Sequence, residues 1–199
     1  MPPNGLLDEI KHRVRNMLGM IGGIATQTFR KCPDYEKQAF AARLGALAGA
    51  HDALIDKNWS HAHIATVIAG ALAPFRQGRG RFEITGPDVQ LDSKKSILIT
   101  MAVHELATNA VKYGALSGDT GNVLLHWEVD DRQRLKIHWR ESDGPPVTAP
   151  RKTGFGTKLI THAFRTEQGT ARFNFAPGGL GCFMELDLSR ELIEPARLD

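Results

Sequence analysis

The sequence predicts an α+β chain in two parts: an antiparallel helical hairpin over residues 1–58, and a unit of helices on one face of a mainly antiparallel sheet over residues 59–199. Three observations carry this reading. Apolar residues in the first part recur at alternating spacings of three and four, the period of a helix face. A break at Cys32-Pro33-Asp34 divides that part in two. From Trp59 onward, stretches of alternating apolar and polar residues are separated by helical segments and Gly/Pro-rich turns.

In the first helix Leu7, Ile10, Val14, Met17, Ile21, Ile24 and Thr28 form a coiled-coil-like seam. Pro33 disfavours helix in the residue before it, and Asp34 is placed to cap the helix that follows. There Phe40, Leu44, Leu47, His51 and Leu54 form a second stripe. Such a hairpin buries little alone, so a homodimer forming a four-helix bundle is the economical arrangement; packing on its own chain is the alternative. The second part reads as a helix over 61–75, a QGRGR loop and a strand over 81–85 ending at Gly86-Pro87. A long helix over 93–113 follows, then strands over 122–130 and 133–141 joined at Asp130-Asp131. A Pro/Gly-rich loop over 142–156 leads to a helix over 155–168 and strands over 170–176 and 181–188.

The 199 residues are 42% hydrophobic and 24% charged, as in ordinary soluble globular proteins. The net charge of +3 comes from dispersed basic residues, which argues against a nucleic-acid partner. No apolar run is long enough to span a bilayer, and the N-terminus lacks the apolar core of a signal peptide. Cys32 and Cys182 form no CxxC pair, so neither a zinc site nor a disulfide framework is expected, and a reducing cytoplasm is the natural compartment.

Three segments carry residue types suited to chemistry. In VHELATNAVKYGAL, Glu105 and Asn109 are four apart and Lys112 lies on the same side, while Leu98, Ala102, Leu106 and Ala110 line the opposite side. A carboxylate, an amide oxygen and an ammonium on one face suit a magnesium–triphosphate, because magnesium takes hard oxygen ligands and keeps substrate phosphates. Taken alone, the same three residues are an ordinary solvated face. In TGFGTKLI, Gly154 and Gly156 stand where a loop enters a helix, so backbone amides can approach phosphate oxygens at a helix N-terminus. In WRESDGPP, Trp139 is expected to be buried in a strand with Glu141 at its end, where a carboxylate can accept a hydrogen bond from an adenine amino group.

In this order, the Glu-x-x-x-Asn helix, the acid-Gly loop after a strand and the GxG loop before a helix resemble the nucleotide site of the GHKL ATPase superfamily. The histidine of HELATNAVKYGAL, His104, the Trp139 and Glu141 of WRE, and KHRVRN near the start narrow the resemblance to the HWE family of sensor histidine kinases. It extends over nearly the whole chain, including RLGALAGAHDAL and GGLGCFMELDL.

The resemblance implies a dimerisation and phosphoacceptor hairpin followed by a Bergerat-type α/β sandwich that binds ATP and Mg2+. It implies Asn109 as the magnesium ligand and Glu105 as its water-mediated neighbour. Lys112 becomes a phosphate contact, Tyr113 an aromatic wall, and Gly154, Gly156 and Thr157 the phosphate side of a lid. Glu141 stands where ordinary histidine kinases have an adenine-reading aspartate. Family members tend to have glycine where this chain has Asp143, which makes Asp143 a rival to Glu141 for adenine. His104 is expected to position the lid or the neighbouring strands.

Of eight histidines, His12 is the expected phosphoacceptor. With Leu7 at heptad position a, His12 falls at f, away from the seam, and it carries the family-like context His-Arg-x-x-Asn with Arg13 and Asn16. A neutral imidazole nitrogen is a competent nucleophile near neutral pH. Glu9, at i−3, is the preferred residue to orient the ring, with Asp8 at i−4 also near; a surface ion pair of Glu9 with Arg13 or Lys11 is the alternative. The expected activity is ATP-dependent autophosphorylation on His12 and transfer to an aspartate of a response-regulator receiver domain. A sensor domain is expected to lie N-terminal to this segment. The competing reading is a GHKL-type ATPase or serine kinase, which would use the same nucleotide site but needs neither the hairpin nor His12. A third reading, a dimerisation or phosphotransfer module that has lost ATP binding, is disfavoured by Asn109 and the two lid glycines.

Overall fold

The computed structural model describes residues 4–55, 61–76, 80–149 and 154–188. The expected boundary between 58 and 59, part of the QGRGR loop and the stretch 150–153 lie outside the described residues.

The hairpin consists of α1 (Asn4–Thr28) and α2 (Asp34–Ile55). The Pro33 carbonyl accepts from the Glu36 and Lys37 amides, so Asp34 sits in the first turn rather than at the cap, and its carboxylate pairs with Lys37 at 3.0 Å. α1 is apolar on two faces. Leu18, Gly22 and Ala25 turn inward, and Gly22 faces Leu44 of α2. Met17, Met20, Ile21 and Ile24 are exposed. The heptad seam is therefore not the surface that α1 uses against its own α2. Leu7, Ile10, His51 and Leu54 fall outside the described side chains.

The second part opens with β1 (Ala62–His63), α3 (Ile64–Leu72) and a 3-10 turn (Ala73–Phe75), where a single helix over 61–75 was expected. β2 (Phe82–Thr85) and β3 (Gln90–Leu91) precede the long α4 (Ser93–Tyr113). Asp92 caps α4 by accepting from the Lys95 amide at 2.7 Å, and Gly114 ends it. β4 (Asn122–Val129) and β5 (Arg134–Ser142) form a hairpin, α5 (Phe155–Thr166) follows, and β6 (Thr170–Ala176) and β7 (Gly179–Asp187) complete the chain of elements.

Five strands form one sheet in the order β2-β4-β5-β7-β6, with β2 parallel to β4 and the other pairs antiparallel. β1 pairs separately with β3. Side chains alternate across a strand, so Val123, Leu125 and Trp127 of β4, Leu135, Ile137 and Trp139 of β5, and Cys182, Met184 and Leu186 of β7 all point to one buried face. Against it lie Ile64, Ile68 and Leu72 of α3, Ile99, Val103, Leu106 and Ala110 of α4, and Ile160 and Phe164 of α5. This is a two-layer sandwich with its helices on one side. The hairpin docks on that helical layer through α2, which packs on both α3 and α4. Cys32 and Cys182 are both free, and burial pushes the Cys182 thiol up to about 12.

Candidate nucleotide site

Between the hairpin and the sandwich lies a cavity of about 1390 Å³. Its sandwich side is formed by Asn109, Lys112 and Tyr113 from the end of α4, Glu141 from β5, Gly154, Gly156 and Thr157 at the start of α5, and an apolar patch that includes Val147, Leu159, Phe173 and Leu180. Its other side is formed by α1 and α2, with Phe40, Arg43, Leu44 and Leu47 facing inward. The elements converge because α4 ends, β5 ends and α5 begins at the same edge of the sandwich. Nine expected site residues are thereby drawn into one region: seven line the cavity directly, Glu105 lies beneath it, and Asp143 stands just outside.

Glu105 is not on a solvated helix face. It is 2% exposed, and its two carboxylate oxygens accept a fork of hydrogen bonds from Arg43 of α2, Nε to Oε1 and Nη2 to Oε2, the latter at 2.8 Å. A charge taken out of water needs such a partner. The hydrogen bond and charge of Glu105 in turn raise the pKa of Arg43 above its usual value. Gly156 rests on the same carboxylate: a Cβ there would lie 2.6 Å from Glu105 Oε2 and 3.6 Å from Asn109 Nδ2. The sequence suggests phosphate approach as the reason for Gly156; in the structure a side chain there would press on the Glu105 carboxylate that Arg43 holds. Gly154 differs, since among the described residues a Cβ there would meet nothing within 4 Å.

The cap residue of α5, Gly154, has no side chain to cap the helix, and the macrodipole favours negative charge at its first amides. Lys112 and Tyr113 are exposed at the cavity edge. No cluster of three His, Cys, Asp or Glu side chains able to hold a metal occurs among the described residues. Among the described residues the site thus has no all-protein metal cage. A Glu/Asn pair beside bare helix amides suits a magnesium ion that arrives with phosphates and keeps most of its ligands from them and from water.

The Trp-x-Glu pair has a concrete geometry. Residues two apart in β5 share a face, so Trp139 and Glu141 are buried side by side, and Trp139 Nε1 donates to Glu141 Oε1 at 3.1 Å. The other oxygen accepts from the Ala115 amide at 2.8 Å, which ties the end of β5 to the segment after α4. The bare backbones of Gly114 and Gly179 make room for Glu141, and Gly179 has a φ of +142°. Burial raises the Glu141 pKa, and the two donors oppose that shift. An ionised carboxylate offers about four acceptor positions, so Glu141 can still accept from a ligand in the cavity that it lines.

Asp143 is exposed and does not line the cavity. Its backbone has a φ of +57°, the left-handed region that Asp tolerates better than most residues. Its side chain accepts from the Ser142 hydroxyl at 3.1 Å and the Asn122 amide at 3.5 Å.

His104 turns away from the cavity toward α3. It is buried, its ring meets Phe75 edge-on at 5.2 Å, and its Nδ1 has no hydrogen-bond partner among the described residues. Burial lowers its pKa, Glu105 opposes that and Arg43 adds to it. Its ring packs within the helical layer, against Phe75.

His12 is exposed on α1, as its f position requires, and does not line the cavity. Glu9 is held by Arg13 at 2.6 Å, the ion-pair alternative anticipated from the sequence. The residue that sequence reasoning missed is Arg43. It lies in RLGALAGAHDAL, but next to the Phe40–Leu44–Leu47 stripe a lone arginine looks like a surface charge. Only the docking of α2 on α4 shows where it points.

Residues 9–88 match the model of the HWE histidine kinase family. The chain is 38% identical over 179 residues to a Brucella anthropi blue-light-activated histidine kinase, covering 86% of this chain and 36% of that protein. The Brucella abortus protein of the same description is 39% identical over 180 residues, again covering 86% of this chain and 37% of the relative. The chain thus spans little more than a third of the length of these relatives. Among solved structures, the histidine kinase domain of the Erythrobacter litoralis EL346 blue-light activated histidine kinase superposes with a TM-score of 0.64 at 19% identity, covering 93% of this chain and 92% of that one, which shows a shared fold. With the family match across the hairpin and the close relatives across the nucleotide site as well, the chain belongs to the HWE family of histidine kinases.

Proposed function

We propose that this chain is the catalytic portion of a two-component histidine kinase, which binds ATP with Mg2+, phosphorylates His12 and passes the phosphoryl group to an aspartate of a response-regulator receiver domain. The observation that carries this reading is the cavity shared by Asn109, Lys112, Glu141, Gly154, Gly156 and Thr157, roofed by the same hairpin on which His12 stands exposed.

In this reading the apolar patch holds the adenine and Glu141 accepts from its amino group. Tyr113 flanks the base. Lys112 and the amides at the start of α5 take the phosphate charge, while Asn109, with Glu105 behind it, would hold the metal. Magnesium, when bound, would supply charge neutralisation on the phosphates. A ring nitrogen of His12 attacks the γ-phosphorus, the bond to the β–γ bridging oxygen breaks, and ADP leaves. Such a transfer needs in-line placement and charge stabilisation more than covalent help. Because His12 does not line the cavity, the ring reaches the triphosphate by a shift of the hairpin or by entering the cleft of a second chain. Glu9 orients the ring only if it exchanges Arg13 for His12. A homodimer, paired through the exposed stripe of α1, fits the same reading, as does a cytoplasmic setting; no described helix is long and apolar enough to cross a membrane.

The test is incubation of the intact chain with γ-labelled ATP. Acid-labile label in the wild type and none in His12→Ala, with binding of a fluorescent ATP analogue retained in both, is the expected result. Acid-stable label would point to a serine kinase, and undiminished acid-labile label in His12→Ala would move the phosphoacceptor elsewhere.

A further inference from the structure

We infer that Arg43, supplied by the phosphoacceptor hairpin, is a positioning residue of the nucleotide site: it fixes the Glu105 carboxylate beside Asn109 and Gly156, so that the site is complete only while α2 is docked on α4. This deepens the proposed kinase reading and rests on it.

Glu105 is almost fully enclosed, and an ionised carboxylate there without a cation is strongly unfavourable. His104 beside it does not serve, because its ring packs edge-on against Phe75 at 5.2 Å. Lys112 stands exposed at the cavity edge. The guanidinium of Arg43 makes the contact, and it comes from a different part of the chain, 62 residues away in sequence.

Geometry adds orientation to neutralisation. Two parallel N–H donors from one planar group set the plane of the carboxylate, which a point charge does not. That plane matters because Gly156 packs directly on Oε2 and Asn109 lies on the next turn of the same helix face. Guanidinium, carboxylate, bare glycine backbone and amide form one cluster, and Arg43 itself faces the cavity shared with Lys112 and Thr157. Withdrawal of α2 would remove the guanidinium that fixes the Glu105 carboxylate beside Asn109 and Gly156. Hairpin docking and formation of the metal–phosphate site are therefore coupled through one side chain.

The experiment uses the full chain with Arg43→Gln and Arg43→Lys. Two quantities are measured: the Mg2+ concentration for half-maximal binding of a fluorescent ATP analogue, and kcat and KM for acid-labile labelling. Arg43→Gln is expected to raise the Mg2+ requirement and to lower kcat, each by roughly tenfold or more, while KM for ATP at saturating Mg2+ changes far less. Arg43→Lys keeps the charge without the fork and should recover part of both losses. Unchanged Mg2+ dependence and kcat, with only a lower melting temperature, would make the pair purely structural and overturn the inference. Faster labelling in Arg43→Gln would also overturn it, in favour of a latch that restrains the kinase. Should Arg43→Gln fail to fold, Arg43→Lys decides by the same two readouts. A wild type that binds the analogue but gains no acid-labile label would remove the kinase reading alone; the Mg2+ dependence would still decide the role of Arg43.

Discussion

Glu141 and Asp143 stand two residues apart in sequence and in different physical settings. Glu141 is buried, lines the cavity and accepts from Trp139 and Ala115; Asp143 is exposed and serves a local turn. Their substitutions should therefore separate. Glu141→Gln keeps an acceptor for one of the two donors and should weaken ATP binding roughly tenfold while narrowing the preference for ATP over GTP, the loss of one hydrogen bond to a charged acceptor being about 1.5–3 kcal/mol. Asp143→Ala should leave nucleotide preference alone and cost about 1 kcal/mol of stability, because alanine is strained at positive φ, whereas Asp143→Gly should cost less. Competition titrations and urea denaturation measure the two effects. If the Asp143 changes abolish the ATP preference and the Glu141 change does not, the assignment of adenine recognition is reversed. Trp139 and Glu141 were both visible in the sequence as a strand-end pair. That the indole N–H and the Ala115 amide bind the carboxylate was not, since the second donor comes from after α4.

At the scale of elements, the start of α5 sets two glycines in different surroundings. Gly156 is pressed against Glu105, whereas Gly154 borders open space. Gly156→Ala should force α5 away from α4, lowering stability by about 1–3 kcal/mol and nucleotide affinity with it. Gly154→Ala should keep stability within about 1 kcal/mol, so any loss of affinity there reports on phosphate approach alone. Thermal melts paired with analogue titration distinguish these outcomes; equal destabilisation by both changes would show that the packing at Gly156 is not what constrains it. The elements themselves were largely legible. α4 was expected over 93–113 and is observed as Ser93–Tyr113, because Asp92 and Gly114 punctuate a long apolar period. The short pair β1 and β3 was missed, since two-residue strands carry no periodicity.

For the whole molecule, α1 presents Met17, Met20, Ile21 and Ile24 to solvent while its other apolar face packs inward. A stripe with that spacing is suited to a second copy of itself in a four-helix bundle. Ile24, 60% exposed in the single chain, makes a clean probe. Ile24→Glu should change the stability of one chain little but place an unpaired charge in a dimer interface, so the variant should sediment as a monomer where the wild type is a dimer. Sedimentation over a concentration series is the measurement. A wild type that remains monomeric at every concentration would refute the dimer and leave the hairpin packed on its own chain through α2.

The sequence by itself determined the two-part α+β architecture, the extent of the long helices and central strands, the exposure of His12 and the family. These follow from local periodicity, from capping and turn residues, and from motifs whose members lie within a few residues of one another. Only the tertiary structure decided which face of α1 meets α2, that Glu105 is enclosed rather than solvated, that His104 faces Phe75, and that Arg43 reaches the candidate nucleotide site. Each of these depends on a contact between segments far apart in the chain. The docking angle between elements, which no local pattern encodes, selects which of several polar side chains on a helix is buried and what it meets there.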